Sequence, residues 1–213
     1  MHFCDLDLDA GRKLATELGG SNHFSKVDLL KEPEIHRWID RIQKRSGTVD
    51  ILVNNAARDP RIPFATMTCK QWDDLFAGNL RAYFLAAQRA EPHMPPGSSI
   101  INLASITFHS APNQMSAYVA TKGGVLGFTR SLARELGPKR VRVNAVSPGW
   151  VMTERQLKQF VTPAVKRLIR RSQCDPDLIQ PEEIASVVTF LASDGARAIT
   201  GQELLVDRGW MHS

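Results

Sequence analysis

Apolar residues follow two alternating patterns along the chain, short continuous runs and longer stretches with helical spacing. The short runs predict strands, and the fully apolar Ile51-Leu52-Val53 is typical of a strand buried on both faces of a parallel sheet. The longer stretches place apolar side chains three or four residues apart, as amphipathic helices do. The predicted helices cover about 9–18, 32–45, 69–90, 116–136 and 181–193, with an irregular, partly helical stretch over 152–179. One predicted strand ends at Asp5, and the others cover about 51–53, 98–104, 140–146 and 202–206.

This alternation of strands with helices of about 10–20 residues predicts right-handed βαβ units. Such units build a doubly wound, Rossmann-like α/β fold around a parallel sheet. The sequence contains no internal repeat, low-complexity tract or linker, so we expect residues 1–213 to form a single domain.

Composition narrows the class of protein without naming an activity. The net charge of +5 is small for 213 residues, and the cationic group Lys166, Arg167, Arg170 and Arg171 has the spacing of a solvated helix face, so no nucleic-acid partner is expected. No apolar run approaches the roughly 18 residues of a membrane span. Three widely separated cysteines indicate neither a disulfide framework nor a structural metal, and they favour a reducing cytoplasm.

Candidate chemistry centres on Tyr118 and Lys122, which lie four residues apart on the helix predicted over 116–136. Their side chains therefore project from one face, where a nearby ammonium group would lower the pKa of the phenol and make it a usable acid or base. Ser105 directly follows the strand 98–104, at the sheet edge where open α/β folds bind ligands. Asn54 and Asn55 follow the strand 51–53 in the same way, so they could tie neighbouring strands or face a cofactor.

Together these residues resemble the short-chain dehydrogenase/reductase family. The resemblance rests on Asn54-Asn55-Ala56, Asn79, Ser105, the Tyr118 and Lys122 pair, and Asn144 followed by Pro148-Gly149, and it covers nearly the whole chain. It implies that Tyr118 is the acid/base, that Ser105 orients the reacting oxygen, and that Lys122 lowers the tyrosine pKa and binds the nicotinamide ribose. Asn79 would hold a water of the proton relay. Further cofactor contacts would come from Asn55, Ala56, Pro148, Gly149, Val151 and Thr153.

The resemblance also bears on the cofactor. Asp5 matches an acidic residue that binds the adenosine ribose, and its carboxylate would repel a 2′-phosphate, so NAD is favoured over NADP. Asp5 could instead be only a polar cap of the following helix. Asp28 and Leu29 resemble the pair that flanks the adenine.

The family opens with a strand, a glycine-rich turn and a helix that bind the pyrophosphate, and this sequence begins after them. In the family's strand order, 3-2-1-4-5-6-7, the first strand is central. We therefore expect a gap between the strand that ends at Asp5 and the strand 51–53. Unpaired strand edges there would destabilise the fold, and our hypothesis is that the sequence is a fragment of a complete enzyme, or starts at a mis-assigned codon.

Polar residues near the predicted site resemble the sugar 1-dehydrogenase branch of the family, in particular D-xylose and L-arabinose dehydrogenases. Asp59 belongs to this set, and the expected substrate contacts are Arg61, His109, Asn113, Arg155 and Gln156. Such donors and acceptors suit a polyol better than an acyl chain. The expected reaction is oxidation of a cyclic aldose at C1 to a lactone.

Two alternatives remain open at this point. One is a reductase of another carbonyl, such as a 3-oxoacyl thioester. The other is a truncated, non-catalytic subunit that docks with complete paralogues. Small residues in 116–136 also permit close helix packing, and the resemblance implies a homodimer or homotetramer.

Overall fold

The computed structural model describes residues 1–211, in which parallel strands alternate with helices. The strands are β1 (His2–Asp5), β2 (His23–Lys26), β3 (Ile51–Asn54), β4 (Ser99–Leu103), β5 (Arg142–Pro148) and β6 (Glu203–Val206). The helices are α1 (Leu8–Leu18), α2 (Glu32–Ser46), α3 (Cys69–Phe76), α4 (Ala82–Ala90), α5 (Thr107–Ser110), α6 (Ser116–Leu136), α7 (Glu154–Gln159), α8 (Pro163–Ser172) and α9 (Pro181–Ala192). This is the expected doubly wound α/β arrangement.

All strand pairings are parallel, and they form two separate groups. β1 pairs with β2, whereas the other four strands follow the order β3-β4-β5-β6. No ladder joins β1 to β3 among the described residues, which is where the gap in the sheet was expected. Because the strands are parallel, their carboxyl ends meet at one edge, and the candidate residues follow them there.

Two layers of helices bury opposite faces of the larger sheet. Ile100 of β4 packs into a cluster with α2 and α4, whereas its neighbour Ile101 packs into a second cluster with Leu191 of α9. Both isoleucines are fully buried. Burial of a side chain of this size stabilises the fold by roughly 1.5–3 kcal/mol. The β4 strand is therefore the rigid centre from which the site is built.

The β3 strand departs from the pattern expected of its sequence. Leu52 is buried against α4, but Ile51 and Val53 are 50% and 41% exposed. The prediction of burial on both faces was wrong, because only the face towards α4 is covered by a helix among residues 1–211. The short β2 strand was not predicted at all.

The predicted helix over 69–90 is interrupted at a point that matters for the site. A capping box at Thr68 begins α3, and a π-helical turn at Ala77–Arg81 separates α3 from α4. A π turn adds a residue to the helical repeat and is frequent at functional sites. Here it contains the fully buried Asn79.

Within residues 1–211, no helix is both long enough and apolar enough to cross a lipid bilayer.

Candidate active site

The predicted catalytic residues lie together at the carboxyl edge of the sheet. Ser105 follows the end of β4, and Tyr118 and Lys122 occupy the first two turns of α6. Ser105 and Lys122 are buried, whereas Tyr118 is partly exposed. The Ser105 side chain is close enough to the Tyr118 phenol to lower the pKa of that phenol. The phenol and the serine hydroxyl can therefore face the same substrate oxygen.

Lys122 is held in place by the backbone of β4. Its Nζ donates to the carbonyl oxygen of Leu103 at 2.6 Å and lies 5.7 Å from the centre of the Tyr118 ring. The Tyr83 ring, from α4, is 5.5 Å from the same nitrogen. Because the side chain is buried among these groups, desolvation lowers the pKa of Lys122 to about 7.

The electrostatics of Tyr118 differ from the sequence-based prediction. Burial raises the pKa of its phenol to about 12, and the nearby Ser105 side chain opposes this shift. The Asp59 carboxylate also raises the pKa of Tyr118, whereas the Arg155 guanidinium lowers it. Lys122 makes no resolved contribution to the pKa of Tyr118, and burial disfavours the charge of both the phenolate and the ammonium.

Asn79 links the π turn to the loop after β3. Its Oδ1 accepts from the Arg58 backbone N–H at 2.9 Å, and its Nδ2 donates to the Arg58 carbonyl at 2.9 Å and to the Thr121 hydroxyl at 3.4 Å. These bonds hold the loop against α6, next to Tyr118. The role of holding a relay water stays a prediction.

The asparagines after β3 divide between the two roles considered for them. Asn54 is buried, and its Nδ2 donates to Oδ1 of Asn102, whose own Nδ2 donates to Thr129 on α6. Asn54 therefore ties β3 to β4. Asn55 and Ala56 are exposed at the edge of the sheet, where a ligand can reach them.

Three of the predicted substrate residues, Arg61, Arg155 and Gln156, already have partners within the protein. Arg155 forms an ion pair with Asp59, and Gln156 donates to the same carboxylate at 3.0 Å. The Arg61 guanidinium lies over the rings of Trp150 and Phe160. The sequence did not single out these two aromatic residues, because neither belongs to a motif.

The two remaining predicted substrate residues are placed differently. His109 bonds through Nε2 to Glu203 at 2.7 Å, and Ser147 donates to the same carboxylate at 2.6 Å. Asn113 is exposed, and its side chain accepts from the next backbone N–H at 2.9 Å. Their contact with substrate stays a prediction.

Known proteins match this chain over nearly its full length. A family model described as enoyl-(acyl carrier protein) reductase matches residues 2–211. A D-xylose 1-dehydrogenase of Caulobacter vibrioides is 39% identical over 213 residues, which cover 98% of this chain and 84% of that protein. The "probable galactose dehydrogenase GalD" of Rhizobium meliloti is 36% identical, with coverage of 92% and 78%. A crystal structure titled as a short-chain dehydrogenase/reductase, glucose/ribitol dehydrogenase from Brucella melitensis superposes with a TM-score of 0.91 at 32% identity, and covers 100% of this chain and 86% of that one.

The chain belongs to the short-chain dehydrogenase/reductase family. As a member it is an oxidoreductase that uses a nicotinamide cofactor. Two further relatives bear on substrate and cofactor. The 3-oxoacyl-[acyl-carrier-protein] reductase FabG of Aquifex aeolicus is 32% identical, with coverage of 92% and 79%. A blue fluorescent protein from a metagenomic library, solved with NADPH, is 29% identical with a TM-score of 0.92, and covers 99% of this chain and 87% of that one.

The residues predicted to bind the adenosine half of the cofactor lie close to the ends of two neighbouring strands. Asp5 and Asp28 lie at or just beyond the carboxyl ends of the paired strands β1 and β2. The Asp5 carboxylate accepts from the N–H of Asp7, and it is Asp7, not Asp5, that caps α1. Asp28 accepts from the N–H of Leu30, while Leu29 packs against the core beneath it. An exposed carboxylate and an apolar neighbour suit a ribose and a purine ring.

The turn after β5 is built for close packing. A Cβ on Gly149 would lie 3.0 Å from the Cα of Asp207, so only glycine fits there without displacing backbone. After Pro148 and Gly149 the chain pairs with residue Ile179 through a bridge at Val151, and Thr153 then caps α7. This brings the start of α7 to the same edge as Tyr118.

Proposed function

We propose that this enzyme oxidises the anomeric carbon of a cyclic aldose to a lactone, with NAD as the cofactor. The observation that carries the proposal is the joint position of Ser105, Tyr118 and Lys122 beside a wall of polar side chains from the loop after β3 and from α7. The similarity to proteins named as D-xylose 1-dehydrogenase and probable galactose dehydrogenase supports the sugar substrate.

In this mechanism the Ser105 hydroxyl donates to the C1 oxygen and holds it beside Tyr118. The phenolate of Tyr118 takes the proton of the C1 hydroxyl as general base, a contribution of typically 10²–10⁴-fold. The oxidised nicotinamide, when bound, would accept the C1 hydride, and its positive ring would favour the phenolate. Lys122 is held by the Leu103 carbonyl one helical turn from Tyr118, where its ammonium would bind the nicotinamide ribose.

Several side chains would bind the cofactor around this centre. Asn55, Ala56, Pro148, Gly149, Val151 and Thr153 would contact its nicotinamide half, and Asp28 and Leu29 would flank the adenine. Asp5 would bind the adenosine ribose and repel a 2′-phosphate, which favours NAD over NADP. Asn79 would position a water behind Lys122.

On the substrate side, the polar wall would bind the ring hydroxyls of the sugar. Hydrogen-bond donors would come from Arg61, His109, Asn113, Arg155 and Gln156. Two of these side chains, Arg155 and Gln156, also bind the Asp59 carboxylate. Groups already paired within the protein are held in one orientation, which limits the entropy lost when a polyol binds.

The second candidate is reduction of a 3-oxoacyl thioester. The 32% identity to the Aquifex aeolicus FabG favours it, and the same three residues would serve. The polar wall argues against it, because an acyl chain would leave these donors unpaired.

The deciding assay uses the purified native enzyme. D-Xylose, L-arabinose and D-galactose are offered with NAD and with NADP, and acetoacetyl thioester is offered with NADH and NADPH. We expect NAD-dependent oxidation of at least one aldose and its loss in Tyr118→Phe. Reduction of the thioester with no aldose oxidised would refute the sugar proposal.

We also propose that the enzyme forms a homodimer or homotetramer and that it works in a reducing cytoplasm. Residues of α3, α4, α6 and the π turn, apolar apart from Asp73 and Arg81, line a groove of about 650 Å³, and Phe84 in this lining is 42% exposed. A second copy of this chain would cover this groove. Free Cys4, Cys69 and Cys174 agree with a reducing compartment.

A further inference from the structure

The side chain of Asp59 joins the loop after β3 to α7. Its Oδ1 is ion-paired with the guanidinium of Arg155, and its Oδ2 accepts from Nε2 of Gln156 at 3.0 Å. The Asp59 side chain is only 17% exposed, although the arginine is 49% exposed. One nearly buried carboxylate therefore holds two consecutive residues of a surface helix that is remote in the sequence.

A second set of contacts holds the same helix from both ends. The Arg61 guanidinium lies 4.4 Å from the ring centre of Phe160 and 5.5 Å from that of Trp150. Trp150 in turn donates through Nε1 to Oε1 of Gln156 at 3.1 Å. The segment from 150 to 160 thus rests on two neighbouring side chains of one loop.

Apart from the bridge of Val151 to Ile179 and the buried Met152 that precede it, few contacts fasten α7 to the protein. None of its six residues is buried, so apolar packing contributes little to its position. Its amino end is capped by the Thr153 hydroxyl, which accepts from the N–H of Gln156 at 3.3 Å. A short helix with this exposure is stable only while its polar contacts persist.

The contacts of α7 also set the charge beside the proposed catalytic tyrosine. The Asp59 carboxylate raises the pKa of Tyr118, and the Arg155 guanidinium lowers it. The other groups that face the phenol are Ser105 after β4, Lys122 on the same helix and the Tyr83 ring from α4. Among the charged groups near Tyr118, Arg155 differs in that it lies on a helix, α7, that has no buried residue.

We propose that Asp59 and Arg155 form a latch that closes α7 over the site. In this view the carboxylate charge beside Tyr118 is cancelled only while α7 is closed, so the general base is activated when the substrate is covered. Besides its proposed contact with the sugar, Arg155 is then a positioning residue that acts through Asp59. The latch deepens the proposed aldose oxidation, and its kinetic test rests on that function.

The first test needs no turnover. Hydrogen–deuterium exchange of the 150–160 backbone is compared between the native chain, Asp59→Asn and Arg155→Gln. Lys158→Gln is the matched control, because Lys158 pairs at 3.2 Å with Glu154 inside α7 and does not reach the loop. We expect exchange to be several-fold faster in the first two variants and unchanged in the control.

The second test reads the charge at Tyr118 through pH profiles of kcat/KM. In Arg155→Gln the unpaired carboxylate should move the rising limb upward by roughly half to one pH unit, a loss of about three- to ten-fold on that limb. The double variant Asp59→Asn with Arg155→Gln should move the limb back, and Arg155→Lys should keep it in place. Thermal unfolding confirms that each variant is folded.

These results separate the latch from the proposed function. Equal exchange in all four proteins, or coincident profiles of Arg155→Gln and the double variant, would overturn the latch. If the native chain oxidises no aldose, the proposed function fails, and the exchange experiment still decides whether Asp59 holds α7.

Discussion

Removal of the Lys122 amine should stabilise the fold at neutral pH while abolishing activity. The side chain is 1% exposed, and within residues 1–211 its Nζ has one hydrogen-bond acceptor, the Leu103 carbonyl. Methionine has a similar volume and carries no charge, so Lys122→Met keeps the packing and removes the titrating group. A buried charge that activity requires is expected to lower the stability of the fold.

The magnitude follows from the pKa of Lys122, which is about 7 in the folded protein and 10.5 in the reference state. Below pH 7 the ammonium must be buried in charged form, and the penalty is roughly 5 kcal/mol, because each pH unit between the two values is worth about 1.4 kcal/mol. Between these values the unfolded chain binds more protons than the folded one. The native protein therefore gains stability as pH rises, by about 2 kcal/mol between pH 7 and pH 9.

The assay is urea unfolding of the native chain and of Lys122→Met at several values between pH 7 and pH 9. Loss of the bond to Leu103 adds an offset of about 1–3 kcal/mol that does not depend on pH. The unfolding free energy of Lys122→Met minus that of the native chain should therefore fall by about 2 kcal/mol as pH rises from 7 to 9. Lys158→Met is the control and should give a flat difference, because this side chain is 74% exposed. A flat difference for Lys122→Met as well would refute the argument that burial neutralises Lys122.

Three further outcomes follow from the site and its surroundings. Asp5→Ser should raise the ratio of kcat/KM with NADP to that with NAD at least about tenfold, because a carboxylate no longer repels the 2′-phosphate. Gly149→Ala should lower the unfolding free energy by about 1–3 kcal/mol in urea titration, since its Cβ would lie 2.9 Å from Ile179 and 3.0 Å from Asp207. Phe84→Asp should yield monomers in size-exclusion chromatography with light scattering, because it places a charge in the proposed subunit contact; an unchanged oligomer would exclude that groove as the contact.

Local spacing accounts for the parts of the site that could be predicted from the sequence. Tyr118 and Lys122 share one helix face, and Ser105 follows a strand that is apolar enough to recognise. A helical repeat or a strand end fixes the direction of a side chain without knowledge of the rest of the fold. The same logic predicted α6 and the alternation of strands and helices, except for β2 and the π turn.

Long-range contacts account for what the sequence did not predict. The π turn at Asn79 depends on hydrogen bonds to the backbone of Arg58, on a different element. The four residues of β2, His-Phe-Ser-Lys, carry no alternation of their own, and the strand forms because β1 pairs with it. The partners of Asp59 lie beyond β5, and no local pattern relates them.

The position of Lys122 rests on a backbone atom, which explains how a short motif can direct this side chain. The Leu103 carbonyl, at the end of β4, accepts from Lys122 of α6 and, at 3.4 Å, from the hydroxyl of Tyr83 of α4. Strand β4 is buried along its whole length, so this oxygen cannot move independently of the core. Substitution of Leu103 leaves the acceptor in place, and the lysine is then positioned by the strand rather than by a side chain. The lysine's direction is therefore a property of the fold, whereas the charge around Tyr118 depends on Asp59 and Arg155, which mutation can remove.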